Sequence, residues 1–462
     1  MYVTKIGVSN IRGFTGPRSV DLTLPEGGGW IVMAGRNGSG KTTLLKALAV
    51  ALAGPSVART LVADFSGWVT QGEQEGWAQA FIARDPSRDV LRGRGRVPDG
   101  PQVLGLTWTL PPSSDPDPGV GRPARPDLAA YQPPKYGWPG AERGPWSENP
   151  QGWFCTAYGP FRRLVGGSGE AQRLMLTPGP AGRMASLFHE DVSLAEGVSW
   201  LINLHLRKLE GRQGAEELLE VVKDLLSDGL LPGEYRVVRV DSEGLWVART
   251  DDERRRNPSA APGRPFPLRE MSDGYRTVAA LVLDIVRQIQ TAYGTLDARM
   301  TDDGRPEIRM PGVVIIDEID AHLHVTWQRG IGDWLRDHFP NIQFIVSSHS
   351  PYICQAADEG GLIRLPGPDE DRAPEIVGED LYRRVVFGSG DDAAISELFG
   401  LETPYSSRAE RYRRRFVRLE RKLYDGEASD EEAAEYHELD DLLTSSVDAR
   451  VAEVAARLGR GE

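Results

Sequence analysis

The sequence predicts an α/β chain built on a largely parallel sheet whose strands are buried on both faces and end in polar residues. Three stretches carry this expectation. Trp30–Ala34 is a short apolar run that leads through a glycine-rich turn into a segment with helical spacing at Leu44, Leu45, Leu48 and Leu52. Val313–Ile316 sets four aliphatic residues in a row directly before Asp317 and Glu318, as in a strand of a parallel sheet covered on both faces. Phe344–Val346 likewise runs into Ser347, Ser348 and His349. In open sheets of this class ligands bind outside the carboxyl ends of the strands, so these polar residues are the place to look for chemistry.

The turn after Ala34 reads Gly35-Arg-Asn-Gly-Ser-Gly40-Lys41-Thr42 and fits G-x-x-x-x-G-K-[ST] in full. An ordinary glycine turn has no need of a strand before it and a helix behind it; a phosphate cradle needs both. Its glycines let backbone N–H groups turn inward around a β-phosphate, and the helix N-terminus adds positive potential. Gly35, Asn37, Gly38, Ser39, Gly40, Lys41, Thr42 and Thr43 are therefore the candidate nucleotide-binding residues. Lys41 reaches the β/γ-oxygens, and the Thr42 hydroxyl holds Mg²⁺. The loop is expected to bind a nucleoside triphosphate.

The acid pair supplies a second half. Mg²⁺ keeps several waters in octahedral geometry, so one carboxylate, Asp317, suffices beside Thr42. The next carboxylate, Glu318, can orient and polarise an attacking water. His349, at the end of the following strand, can hydrogen-bond a γ-phosphate; Lys41, Glu318 and His349 are the candidate catalytic set. The run Ser272-Asp-Gly274 opens a helix whose apolar face is Val278, Leu281, Ile285 and Ile289. Its plain reading is an N-cap at Ser272. The sharper one makes Ser272 and Gly274 a second anion site, offered to a nucleotide on another subunit.

Length and composition set the frame. A chain of 462 residues holds one large or two to three ordinary domains. A net charge of −13 confines any nucleic-acid contact to a local basic patch. Cys155 and Cys354 give neither a disulfide framework nor metal spacing, the start has no signal-like apolar core, and no apolar run approaches a membrane span; a cytoplasmic protein without membrane contact is expected. The chain divides into residues 1–83 around the phosphate loop, a Pro/Gly-rich segment 84–150, a strand with a helical subdomain and hairpin at 151–260, a lobe at 261–400, and a helical tail at 401–462. Fourteen of the 33 prolines fall in 84–150, which is expected to be a surface insertion around one strand at Val103–Leu110. Residues 193–229 give two amphipathic helices stopped by Gly229, and 234–250 a hairpin turning at Ser242–Gly244. In the tail, Tyr405, Ala409, Tyr412, Phe416, Leu419 and Leu423 form a heptad seam beside eight basic residues, from Arg408 to Lys422. Nine acids between Asp425 and Asp441 follow, with a capping box at Ser429/Glu432 and a second seam at Val447, Val451, Val454 and Leu458. A hairpin whose charges pair internally is the plain expectation; a docking arm for nucleic acid or a protein partner is the alternative.

With these motifs in order, the chain resembles an ABC-type ATPase head of the AAA-15/AAA-21 kind, related to the ATPase part of OLD proteins and to SMC-type heads. The resemblance implies a P-loop NTPase fold with a mixed/parallel sheet, a helical subdomain and a C-terminal helical hairpin. "KIGVSNIRGF" resembles the family's opening strand, with Arg12 on the nucleotide side; "GRNGSGKT" is similar to Walker A, "MSDGYR" to the signature motif and "IIDEID" to Walker B. "AHLHVTWQ" resembles the D-loop region, and His349 stands at the switch histidine. Two copies would then sandwich two ATPs, each site completed by the partner's signature helix. The chain departs from the pattern where Asp273 replaces a glycine and Val325 a proline, and where the turn Tyr158–Arg163 occupies the place of a glutamine loop. An ABC transporter motor is disfavoured, since Ile319 rather than proline follows Glu318. A self-contained nuclease is disfavoured too, because "DED" at Asp369–Asp371 lies in a Pro/Gly-rich loop read as solvated surface. Stand-alone relatives occur beside nuclease or other effector subunits in anti-phage systems such as Septu, PARIS and retrons. The resemblance thus implies an ATP-hydrolysing sensor or regulator with a separate effector. An ATP-stabilised scaffold with negligible turnover and an SMC-like DNA-maintenance ATPase are the alternatives.

Overall fold

The computed structural model describes residues 1–95, 97, 100–112, 125–131, 141–162, 169–177, 179–231, 235–249, 264–401 and 403–443. They fall into two compact units, Met1–Ala393 and Ala394–Glu462.

The larger unit is built on two sheets. The first is antiparallel, with β1 (Tyr2–Ser9), β2 (Val20–Thr23), β4 (Glu75–Ala83), β5 (Gln102–Thr109) and β6 (Asp127–Ala130) in the order β2-β1-β4-β5-β6. The second contains β3 (Gly29–Ala34), β7 (Cys155–Tyr158), β13 (Gly312–Ile316), β14 (Ile342–Ser348), β15 (Leu362–Arg364) and β16 (Glu375–Ile376), in the order β16-β15-β3-β14-β13-β7. All its neighbours pair in parallel except β15 with β16. Every residue of β13 and β14 is buried, which is why Val313–Ile316 and Phe344–Val346 run apolar without alternation. Gln343, buried within β14, is satisfied by the first sheet: its Oε1 accepts from Val3 N at 2.8 Å, and its Nε2 donates to Val3 O at 2.8 Å.

The helix Lys41–Ala53 packs against strands of both sheets, so its sequence is apolar nearly all round rather than on one face. Leu44, Leu45 and Leu48 are buried in the main core, each contributing about 1.5–3 kcal/mol relative to exposure. The strand expected at Val103–Leu110 is β5, and its Trp108 is fully buried, stacked on Trp68 at 5.3 Å. The segment 84–150 is thus more than a surface insertion. Where its residues alternate, β5 and β6 extend the first sheet, and the longer proline-bearing runs 113–124 and 132–140 lie outside the described residues.

Two amphipathic helices, Ala195–Leu209 and Ala215–Ser227, pack with a third, Asp273–Tyr293, beside the hairpin of β8 (Tyr235–Asp241) and β9 (Gly244–Arg249). The strand β10 (Phe266–Pro267) joins that hairpin, and β11 (Ala298–Met300) pairs with β12 (Pro306–Ile308). Gly229 ends the second helix region at φ +71°, a conformation glycine adopts without steric cost. No helix among the described residues is long and apolar enough to cross a membrane.

The smaller unit is a hairpin of helices Ser407–Tyr424 and Asp430–Leu443. Arg415 pairs with Glu435 and Lys422 with Glu432, while Phe416 stacks on Tyr436 at 4.7 Å. The falling partner numbers fix an antiparallel arrangement. Ser429 and Glu432 exchange the reciprocal bonds of a capping box. These ion pairs lie at the solvent-facing surface of the hairpin, where water screens them. The second seam, Val447–Leu458, lies outside the described residues.

Candidate nucleotide site

The site forms where β3, β13 and β14 end side by side. Gly38 and Gly40 hold φ of +79° and +96°, and Gly40 is the N-cap of the helix that begins at Lys41. A side chain at Gly35 would sit 2.5 Å from Leu365 O and 2.9 Å from Ser39 Oγ. Only glycine permits so close an approach. The loop therefore curls back on itself: Lys41 Nζ donates to Gly35 O at 2.7 Å and to Arg36 O at 3.1 Å. Burial pulls the Lys41 pKa down to about 8 against the opposing pull of Asp317, Glu318 and Asp320. Ser39 Oγ is buried without a hydrogen-bond partner, and Asn37 is exposed at the loop's outer turn.

The fold brings residues 275 positions apart into contact. Thr42 Oγ1 donates to Asp317 Oδ2 at 2.7 Å, and Ser347 Oγ donates to Asp317 Oδ1. Asp317 is only 2% exposed, so these hydroxyls are what makes its burial tolerable. Ser347 Oγ also accepts from Glu318 N at 2.8 Å, and one hydroxyl thereby positions both acids. Glu318 is half-buried at φ +46°. Burial raises its carboxyl pKa above the usual range, helped by Asp317 and Asp320. Asp320 accepts from Ser348 Oγ at 2.6 Å and from His349 N at 3.4 Å. His349 is half-buried, and burial together with the Lys41 charge lowers its pKa against the opposing pull of Asp320 and Asp317.

Other expected residues lie around this cluster. Arg12 is exposed in the left-handed region at φ +51°, its guanidinium over the Trp68 ring at 5.4 Å. Its turn reaches the loop through Phe14, whose ring lies where a Gly40 side chain would begin, 2.6 Å away. Ser272 caps the helix Asp273–Tyr293 by position only: it is exposed and its side chain makes no cap hydrogen bond. Gly274 lies against the turn after β13, where an added Cβ would meet His322 O at 2.9 Å. Among the described residues no hydrogen bond joins either of them to the phosphate-loop cluster, and Ser272 is exposed. Val278, Leu281, Ile285 and Ile289 are buried as the helical spacing requires.

Three features escape the motif pattern. Arg162, in the turn expected to replace a glutamine loop, is 2% exposed. Its guanidinium donates to Gly159 O at 2.8 Å, Asp317 O and Glu318 O at 3.1 Å, Ile319 O at 3.2 Å and Ala321 O at 3.5 Å. It therefore lies under the acid turn rather than facing a nucleotide. Burial pulls its pKa down to about 10, opposed by Asp320, Asp317 and Glu318. The second feature is the loop of Asp369–Asp371, whose two aspartates are exposed as expected while Glu370 between them is half-buried. Asp369 pairs with Arg36 of the phosphate loop at 3.3 Å, and Arg18 Nη1 donates to Gly367 O and Glu370 O. The Glu370 carboxyl is held down to about 2 by the Gly367 N–H and by Arg364 and Arg372. The loop is thus clamped to the outside of the phosphate cradle. Asp320 is the third, a further acid behind the pair. None carries a spacing signal, because their partners are backbone groups or residues far away in sequence.

The donor set suits a nucleoside triphosphate with a divalent cation. The orphaned Ser39 hydroxyl lies beside the space that a side chain at Gly35 would fill. Thr42 and Asp317 bring a hydroxyl and a carboxylate within 2.7 Å of each other, the one or two protein ligands that Mg²⁺ requires.

Sequence comparison agrees with this geometry. Residues 259–355 match the family model "AAA domain, putative AbiEii toxin, Type IV TA system", and residues 5–71 match a second, "AAA domain". The retron Ec83 probable ATPase of Escherichia coli is 37% identical over 108 residues, 23% of this chain and 18% of that protein. Septu protein PtuA of Bacillus mycoides is 36% identical over 106 residues, 23% of this chain and 13% of that protein. The retron Vc95 probable ATPase of Vibrio cholerae is 40% identical over 91 residues, 20% of this chain and 16% of that protein. The match thus spans less than a fifth of each of these relatives. Among solved structures, an SMC head bound to the C-terminal winged-helix domain of ScpA aligns over 82% of this chain and 98% of its own, at 15% identity and a TM-score of 0.46. The two stretches similar to AAA-domain models, residues 5–71 and 259–355, hold the phosphate loop and the acid pair respectively.

Proposed function

We propose that this chain binds ATP with Mg²⁺ and hydrolyses it to ADP and phosphate. The observation that carries the reading is the continuous hydrogen-bonded path Thr42–Asp317–Ser347–Glu318 beside a glycine cradle. Backbone N–H groups of Gly38–Thr42 and the Lys41 ammonium bind the phosphates. Thr42 and Asp317 would hold Mg²⁺, which would supply neutralisation of the triphosphate charge. Glu318, its basicity raised by burial, takes a proton from the water that attacks the γ-phosphorus as the bond to ADP breaks. His349 donates a hydrogen bond to the γ-phosphate.

The helix N-terminus at Ser272 and Gly274, with Ser272 exposed, supports a further step in the same reading: a second copy of the chain supplies it to the bound nucleotide. The names of the relatives, probable ATPases of retrons and a Septu protein, support a cytoplasmic sensor or regulator in anti-phage defence that works with a separate effector, a nuclease by resemblance. The experiment for the paired site is complementation. Ser272→Arg and Lys41→Ala should each be inactive alone, and exchanged subunits of the two should recover part of the turnover, since one composite site keeps both intact halves. No recovery refutes the trans arrangement.

A further inference from the structure

The turn from Asp317 to His322 is held in an unusual shape. Glu318 and His322 are not glycines, yet they hold φ of +46° and +67°. Such residues stay in the left-handed region only where their surroundings over-determine the backbone. The N–H side is anchored by four bonds: Asp317 N to Tyr158 O at 2.8 Å, Glu318 N to Ser347 Oγ at 2.8 Å, Ile319 N to Ser347 O at 3.1 Å and Ala321 N to Glu318 O at 2.9 Å. The carbonyl side converges instead on one group, the buried guanidinium of Arg162, which takes the oxygens of Asp317, Glu318, Ile319 and Ala321. A fifth bond, to Gly159 O at 2.8 Å, fixes the arginine to its own turn at the end of β7.

We infer that Arg162 is a positioning residue for hydrolysis: by gathering these four carbonyls it locks the turn in the conformation that presents the Glu318 carboxylate to the attacking water. The inference rests on the hydrolytic role proposed for Glu318. Five donors in a rigid planar fork can satisfy several converging carbonyls at once, which the three donors of a lysine on a point charge cannot reproduce.

The test uses the full chain with Arg162→Lys and Arg162→Met, measuring binding of a fluorescent ATP analogue, kcat, and hydrogen exchange of the peptide covering residues 313–323. Arg162→Lys keeps the cation and should bind the analogue within about threefold of wild type while kcat falls by about tenfold or more. Exchange at residues 318–322 should quicken, with the rest of the larger unit unchanged. Arg162→Met, where folded, should lose more kcat than Arg162→Lys. Where it does not fold, Arg162→Lys alone decides. Wild-type kcat and exchange in Arg162→Lys would overturn the proposal, as would a loss of kcat matched by an equal loss of binding and faster exchange throughout. Were the wild-type chain to bind ATP without turning it over, the hydrolytic reading would fail by itself. Exchange in the turn would still judge whether Arg162 holds it.

Discussion

Replacing Ser347 by alanine removes one oxygen atom from the centre of the site. That oxygen donates to Asp317 Oδ1 and accepts from Glu318 N, and Ser347 is fully buried, so water cannot readily take its place. A hydrogen bond to a buried charge is worth about 1.5–3 kcal/mol, and a buried N–H left unpaired costs about 1–3 kcal/mol. Since the two effects share one atom and partly relax, the sum expected is about 2–4 kcal/mol of stability. In urea titrations followed by tryptophan fluorescence, a slope of about 3 kcal/mol/M turns this into a midpoint lower by about 1 M. Turnover should fall as well, because Asp317 and Glu318 lose their common anchor, while the cradle residues Gly35–Lys41 are untouched. A Ser347→Ala chain with the wild-type midpoint would refute the claim that this hydroxyl bridges the acid pair.

Three further outcomes follow from the same geometry. Gly40→Ala forces a left-handed φ on a residue with a side chain and drives its Cβ to 2.6 Å from the Phe14 ring; a loss of about 2 kcal/mol or more is expected, with ATP affinity down about tenfold or more in equilibrium binding. Glu370→Gln tests the clamp on the phosphate loop. The Glu370 carboxyl titrates near 2 when folded against 4.5 when free, so its contribution is complete above pH 4.5 and fades as pH falls towards 2. After screening at a partly exposed site this amounts to about 1–2 kcal/mol. Paired urea titrations at pH 7 and pH 3 should therefore show the wild-type advantage shrinking with acid. In the smaller unit, exchanging the charges of Arg415 and Glu435 in one double variant should leave its helix content within about 10% of wild type by circular dichroism, since a solvent-exposed pair contributes little in either orientation.

The main elements of the fold were legible in the residues that tertiary context cannot easily override. Four unbroken aliphatics before Asp317 announced a strand buried on both faces, and β13 is buried throughout. Apolar spacing likewise placed the helix Asp273–Tyr293 and the buried Leu419 of the tail. In the Pro-rich segment, the apolar run at Val103–Leu110 outweighed its surroundings, and Trp108 became part of the core. What stayed hidden depends on contacts between remote positions. Arg162 bonds backbone carbonyls some 155–159 residues away, and main-chain oxygens leave no trace in composition. The Arg18–Glu370 and Arg36–Asp369 contacts span more than 330 residues, and a Pro/Gly-rich loop resembles any solvated surface until the fold lays it on the cradle. The place of Phe14 carries no sequence signal, because it arises from the space that Gly40 leaves open.

The central claim is that the acid after β13 drives hydrolysis of a nucleotide held by the loop after β3. The most direct measurement compares ATP retention and phosphate release by wild type, Lys41→Ala and Glu318→Gln. Lys41→Ala removes the buried ammonium that the loop encloses, and should neither retain ATP nor release phosphate. Glu318→Gln keeps the side-chain shape but loses the charge that polarises water. It should retain ATP within about threefold of wild type while phosphate release falls by about 10²–10³. Phosphate release at the wild-type rate by Glu318→Gln would contradict the account.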